Sequence, residues 1–380
     1  MARSRATHSG SQRLTGSPRR AGVSAVRRKH RKDRAVPLPE TVNPDRRGFV
    51  RGAAATAATL IGGAAAGRAL AAPRARAAAS PFPPIRQIEA GVLSIGYVDM
   101  GPAAGPAVLL FHGWPYDIHA FAEVAPLLVA QGYRVIIPHL RGFGTTLIRS
   151  PEAPRNAQQA ALAADGLALM DALRIRQAIV AGLDWGARTA DIMAVLWPER
   201  CKALVSVSGY LIGSQAGNAK PLPPKAELQW WYQFYFATER GQAGYAANLN
   251  AFNELIWKLA SPRWQFDAAT YARSAASFAN PQHVAIVIHN YRWRLGLADG
   301  ERQYDAVEAK LAAAPPVTIP AITMEGDANG APHPEAAQYR AKFTGPYAHR
   351  LVTGGIGHNL PQEAPADFAR AVLDAARLAG

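Results

Sequence analysis

Asp184 stands between two glycines in Gly182-Leu183-Asp184-Trp185-Gly186, the stretch with the most chemistry to offer in the chain. The apolar run Ala178-Ile179-Val180-Ala181 precedes it and Ala187 to Leu196 follows, which predicts a strand, a sharp turn and a helix. This is the layout of a nucleophile elbow, G-x-S-x-G, with Asp in the place of Ser. The glycines let two backbones approach closely, and the residue between them sits in a strained turn. Its side chain projects above the sheet, near the positive end of the following helix. A carboxylate placed there can attack carbon and form an ester with the protein. Such a group suits an electrophilic sp³ carbon, as in an epoxide or an alkyl halide, better than a peptide or an ordinary ester.

Two further segments have the residue types that this chemistry needs. Phe111-His112-Gly113-Trp114-Pro115 follows the strand-like Ala107 to Phe111. Its H-G-x-P loop predicts one backbone N–H of an oxyanion hole from Trp114, with a second from Trp185. Near the C-terminus, Gly354-Gly355-Ile356-Gly357-His358-Asn359 follows Arg350-Leu351-Val352. A loop histidine late in the order nucleophile, acid, histidine fits a general base, which assigns that role to His358.

The elements that must position these residues are legible as alternation. Ala107 to Phe111, Arg134 to Ile137, Ala178 to Ala181, Ala203 to Val207 and Ile319 to Met324 read as buried strands. Leu93 to Val98 reads as an antiparallel leading strand. Ala120 to Val129, Ala160 to Leu173 and Phe368 to Leu378 read as helices. The pattern predicts an α/β architecture, a mostly parallel sheet with helices on both faces. Alternation stops between Gly209 and Pro315, where aromatic residues crowd a helical pattern. That interval is expected to be a helical lid, which divides the chain into 80–209, 210–314 and 315–380 after an N-terminal segment 1–79.

Charge is unevenly distributed. The chain has a net charge of +15, but residues 1–79 hold 17 of the 42 Lys/Arg and 3 of the 27 Asp/Glu, so the remainder carries only +1. No basic cluster on the folded part points to nucleic acid. Arg46-Arg47-Gly48-Phe49 precedes the weakly apolar run Gly52 to Gly67, with Ala-x-Ala sites beyond it. A charged segment, a modest apolar run and small residues read as a secretory signal of the twin-arginine type. The apolar run falls short of the roughly 20 strongly apolar residues of a membrane span. The expected location is periplasmic or extracellular. Cys201 is the single cysteine and precludes an intramolecular disulfide. His283, His289 and His333 share no metal-ligand spacing, so no metal or organic cofactor is expected.

With these motifs in order, from about Ile88 to the C-terminus the chain resembles the α/β-hydrolase superfamily, in its epoxide hydrolase and haloalkane dehalogenase branch. Arg141-Gly142-Phe143-Gly144 adds to the resemblance. Two lid segments resemble epoxide hydrolases more closely. Tyr232-Gln233-Phe234-Tyr235-Phe236 and His289-Asn290-Tyr291-Arg292 are similar to the segments that carry two ring-opening tyrosines. The resemblance implies that Tyr232 and Tyr291 hold the epoxide oxygen, with Tyr235 as the competitor for the first role. It implies a small apolar epoxide, or alternatively a haloalkane, as substrate. The family's catalytic acid follows a strand in a G-x-x-D pattern, but the third residue after Gly326 here is Asn329. The expectation is that Asn329 orients the histidine, that Asp327 takes over the role, or that the protein is a low-turnover ligand-binding homologue.

Overall fold

The computed structural model describes residues 81–380. The twin-arginine segment and its neighbours in 1–79 lie outside the described residues. Nine strands form one sheet: β1 Arg86–Ala90, β2 Leu93–Met100, β3 Ala107–Phe111, β4 Arg134–Pro138, β5 Leu147–Ile148, β6 Ala178–Gly182, β7 Cys201–Val207, β8 Ala321–Gly326 and β9 Tyr347–Val352. The spatial order is β1-β2-β4-β3-β6-β7-β8-β9, with β5 on β2. β2 pairs antiparallel with both β1 and β4, and every pair from β4 through β9 is parallel.

The continuous apolar runs explain the parallel centre. Val108, Leu109 and Leu110 of β3, and Val180 and Ala181 of β6, are fully buried because helices cover both faces. Those helices are α1 Val124–Val129, α2 Gln159–Ala172, α3 Trp185–Leu196 and, at the C-terminus, α14 Pro365–Leu378. The helix expected over Ala120 to Val129 is divided, a single 3₁₀ turn at Ile118–Phe121 preceding α1. Cys201 is buried at the start of β7, where burial pushes its thiol up to about 12. The thiol is therefore packing, not a nucleophile.

Between β7 and β8 the chain forms helices only: α4 Gln215–Asn218, α5 Pro224–Gln229, α6 Trp231–Ala237, α7 Glu239–Ala247, α8 Leu249–Ala260, α9 Ala268–Ala275, α10 His283–Arg294 and α11 Asp305–Ala312. Polar bonds tie these helices to the core loops. Trp257 Nε1 donates to the Pro115 carbonyl at 2.7 Å, and Asn280 Nδ2 donates to the Thr146 carbonyl at 2.8 Å. The short helices α12 Ala336–Tyr339 and α13 Leu360–Glu363 flank the last strand.

Arg141 of the Arg-Gly-Phe-Gly motif is a structural anchor. Its guanidinium makes two 2.7 Å bonds to the Asp165 carboxylate on α2 and a third to Asn156, all buried. Breaking such a pair would strand a buried charge, so the fork fixes the loop after β4. His139, two residues ahead of Arg141, is buried as well.

Candidate active site

Asp184 occupies the turn between β6 and α3 with φ 52° and ψ −119°. A residue with a side chain adopts this conformation at a cost of about 1–3 kcal/mol, which the surrounding packing must hold in place. The close approach requires glycine. A Cβ at Gly186 would collide with the Phe111 carbonyl at the end of β3, and a Cβ at Gly113 would collide with the Asp184 side chain. Strand β3, its loop and the elbow are therefore in direct contact.

The two oxygens of Asp184 have different partners. Oδ1 accepts from the Trp114 backbone N–H at 2.7 Å, and Oδ2 lies 3.8 Å from His358 Nε2. Burial alone would raise the carboxyl's pKa. His358, Arg188 and the Trp185 N–H outweigh that effect and hold it below the usual carboxylate range. The Asp184 carboxyl is thus ionised at neutral pH. His112 fixes the loop that delivers Trp114. Its Nε2 accepts from Leu140 N at 3.1 Å, which leaves Nδ1 as the donor to the Gly113 carbonyl at 3.0 Å.

Above Asp184 lies a cavity of about 830 Å³ that also receives His358, Trp114, Tyr232 and Tyr291. Tyr232 comes from α6 and Tyr291 from α10, and their ring centroids are 5.3 Å apart. Trp114 packs against both, at 5.1 and 5.2 Å. Burial first, and then neighbouring groups including Asp184, push both phenols above their ordinary pKa, so both keep their protons. Tyr235 is not among the cavity-lining residues. Its ring stacks on that of Phe252, with centroids 6.0 Å apart.

Neither Asp327 nor Asn329 bonds to the His358 ring among the described residues. Asp327 accepts from the backbone N–H groups of Gly354, Gly355 and Ile356, so it caps the histidine loop from outside and gives nothing to the His358 ring. Asn329 donates Nδ2 to Glu325 Oε1 at 2.7 Å, and its Oδ1 accepts from Ala331 N at 2.9 Å. His358 Nδ1 is buried and meets no partner among the described residues.

Sequence reasoning missed several residues of this region. Glu363 on α13 accepts from Ser261 Oγ, Gly357 N and Asn359 N, while Ser261 Oγ accepts from His358 N at 2.9 Å. This carboxylate therefore organises the loop that carries the histidine. Glu325 at the end of β8 was missed because a strand terminus gives no motif signal. Arg188 and Arg294 also line the cavity. A signal existed for Arg188, four residues after Asp184 and hence on the same helix face.

The comparisons with known proteins agree with this geometry. Residues 106–343 match the family described as alpha/beta hydrolase fold. A solved structure of a candidate epoxide hydrolase from Klebsiella pneumoniae is 62% identical, with a TM-score of 0.78, covering 78% of this chain and 99% of that one. Epoxide hydrolase B of Mycobacterium tuberculosis is 35% identical over 150 residues, 36% of this chain and 41% of the relative. Epoxide hydrolase 2 of Siraitia grosvenorii is 35% identical over 131 residues, 34% of this chain and 41% of the relative. The chain thus spans about two-fifths of the length of the curated relatives it matches. On the family match and the Klebsiella relative together, this chain belongs to the α/β-hydrolase family, in the branch whose named members include epoxide hydrolases.

Proposed function

We propose that the protein opens epoxides through a covalent ester on Asp184 and then hydrolyses that ester to a diol. One observation carries the reading: Asp184 has Oδ1 on a backbone N–H and Oδ2 toward His358, beneath two protonated phenols in one cavity. In the first step a carboxylate oxygen bonds to an oxirane carbon and the C–O bond of the ring breaks. The departing oxygen takes its proton from Tyr232 or Tyr291, because an alkoxide leaves poorly unless an acid stabilises it. In the second step His358 removes a proton from water, and the water oxygen bonds to the ester carbonyl carbon. Negative charge develops on the oxygen already bonded to Trp114 N, where the Trp114 and Trp185 N–H groups stabilise it. Collapse returns the proton from His358 to the departing diol, and the proton left on the Asp184 carboxyl passes through solvent to the tyrosinate, which restores both groups.

Haloalkane cleavage by the same nucleophile is the second reading. Trp185 Nε1 is buried without an acceptor among the described residues, which leaves one indole N–H for a halide. Trp114 Nε1 is already donated to Tyr245 Oη at 2.9 Å, so no indole pair is free. The phenol pair favours epoxides.

A single turnover in ¹⁸O-water tests the mechanism. The label is expected in the Asp184 carboxylate and not in the first diol released. Label in that diol, with none in the protein, would mean direct attack by water and would exclude the ester. Halide release without diol formation from matched substrates would establish the second reading.

A further inference from the structure

Arg188 and Arg294 line the same cavity as Asp184, and the mechanism above uses neither in bond making. Arg188 lies one turn along α3, its backbone N–H donating to the Asp184 carbonyl at 3.0 Å. Its Nε donates to the Leu211 carbonyl at 2.9 Å, and no partner among the described residues takes its two terminal nitrogens. Arg294 closes α10, three residues beyond Tyr291. Its guanidinium carbon stands 5.0 Å from the Trp230 ring centroid and 5.7 Å from that of Tyr291. Neither guanidinium forms a salt bridge among the described residues.

The cavity holds no other carboxylate suited to pair with them. Asp184 is committed to Trp114 and His358, and the exposed Glu335 caps helix α12. Two permanent cations therefore share one partly enclosed space. Burial first, and then the charge of Arg294, push the Arg188 guanidinium down to about 10. An arginine fork free of protein acceptors matches a planar carboxylate, and its bonds to an anion are roughly twice as strong as neutral ones.

We propose that Arg188 and Arg294 form a carboxylate-binding subsite, so that the substrate is an epoxide bearing a carboxylate close to the oxirane and an otherwise apolar body. The short separation follows from placement: Arg188 is one turn from the nucleophile and Arg294 lies against the ring-opening Tyr291. The apolar body follows from Leu222, Leu228, Trp231, Ile256 and Leu259, which line the same cavity. The two cations also offset the repulsion between an anionic substrate and the Asp184 carboxylate. The epoxide part of this inference rests on the proposed function; the carboxylate part does not.

The experiment separates the two. kcat/KM is measured for 3-phenylglycidate and for its amide, which has the same shape without the charge. Wild-type protein is expected to prefer the acid by about 10- to 100-fold. Arg294→Met and Arg188→Met should each collapse that ratio, mainly through KM, while Arg294→Lys should keep part of it. In parallel, calorimetry measures binding of unreactive cinnamate and cinnamamide. Cinnamate binding should weaken about 10- to 100-fold in either Met variant. Equal handling of acid and amide by wild type, or a preference that survives both substitutions, overturns the subsite. If no glycidate is opened while cinnamate still binds through the arginines, the epoxide reading fails and the carboxylate subsite stands. If epoxides are opened but cinnamate binding ignores both substitutions, the subsite fails alone.

Discussion

Asn329 donates its side-chain amide to Oε1 of Glu325 at 2.7 Å, and its Oδ1 is taken by Ala331 N. Both ends of the amide are therefore occupied, while the buried Nδ1 of His358 meets no partner among the described residues. Alkylation of Asp184 does not need that nitrogen, but hydrolysis does, because His358 gains positive charge there. The ester is expected to form quickly and hydrolyse slowly. Loss of the orienting carboxylate in a comparable triad costs up to roughly 10⁴ in turnover. Asn329→Asp alone should recover little of this, since the new carboxylate would face Glu325 at hydrogen-bond distance and one of the two would hold a proton. Combining Asn329→Asp with Glu325→Gln should recover far more. Intact-mass single-turnover experiments decide the matter; full recovery by the single substitution would refute the coupling.

The phenols should act on the opposite half-reaction. Tyr291→Phe or Tyr232→Phe removes one donor from the departing oxygen, a loss worth roughly 10²–10³ in rate. The drop should appear in the rate of adduct formation and leave decay of a preformed adduct unchanged. Unaltered alkylation in both variants, together with rapid reaction of haloalkanes, would transfer the assignment to dehalogenation.

The elements that bring Asp184, Trp114 and His358 to one cavity were legible in the sequence because each is local. The elbow is five residues between a buried strand and a helix; contact with the Phe111 carbonyl dictates Gly186, and contact with the backbone of Gly186 and Ala187 dictates Gly182. The helical insert was legible as a break in alternation, although its eight helices were not separately assigned. The acid region was not legible. Asn329 has the family's spacing and Asp327 does not, yet neither bonds to the His358 ring, because the loop's hydrogen bonds run to Glu325 and to Gly354–Ile356. Arg294 could not be placed either, because its relevance depends on α10 lying across the cavity from α3. The short edge strands β1 and β5 were also missed, as neither carries a continuous apolar run.

Glu363 is a positioning residue in this arrangement, and its removal should separate the two steps. It holds Ser261, Gly357 and Asn359, which shape the loop on which His358 sits. Glu363→Gln should leave alkylation near wild type and slow ester hydrolysis by about 10-fold or more, an effect of misplacing a base by a fraction of an ångström. Equal loss in both steps would indicate general damage to the fold.

Export by the twin-arginine route is proposed from Arg46-Arg47 ahead of the weakly apolar run Gly52 to Gly67. Replacing both with Lys preserves the charge but not the guanidinium pair. Precursor should then accumulate in the cytoplasm of a twin-arginine-competent host, as read by fractionation and immunoblot. Undiminished appearance of mature protein outside would end the proposal.

Two buried histidines predict a loss of stability in mild acid. Burial lowers His139 and His283 from 6.5 to about 4, outweighing the neighbouring Asp117 charge at His139 and the Gly142 carbonyl at His283. Between pH 6.5 and about 4 the unfolded chain binds protons at these positions and the folded chain does not. Stability therefore rises with pH across this window: the contribution is complete above pH 6.5 and is lost as pH falls toward 4. Each histidine accounts for up to about 3 kcal/mol over the full interval. His283 donates from Nδ1 to the Gly142 carbonyl, and Nε2 then accepts from Tyr245 Oη at 3.0 Å, so Gln offers an uncharged substitute at this position. In urea titrations at a series of pH values, His283→Gln should flatten the pH dependence by roughly 1.4 kcal/mol per pH unit at its steepest, the value for one proton. A variant whose stability falls in parallel with wild type from pH 6.5 to 4 would show that His283 is protonated within the folded state.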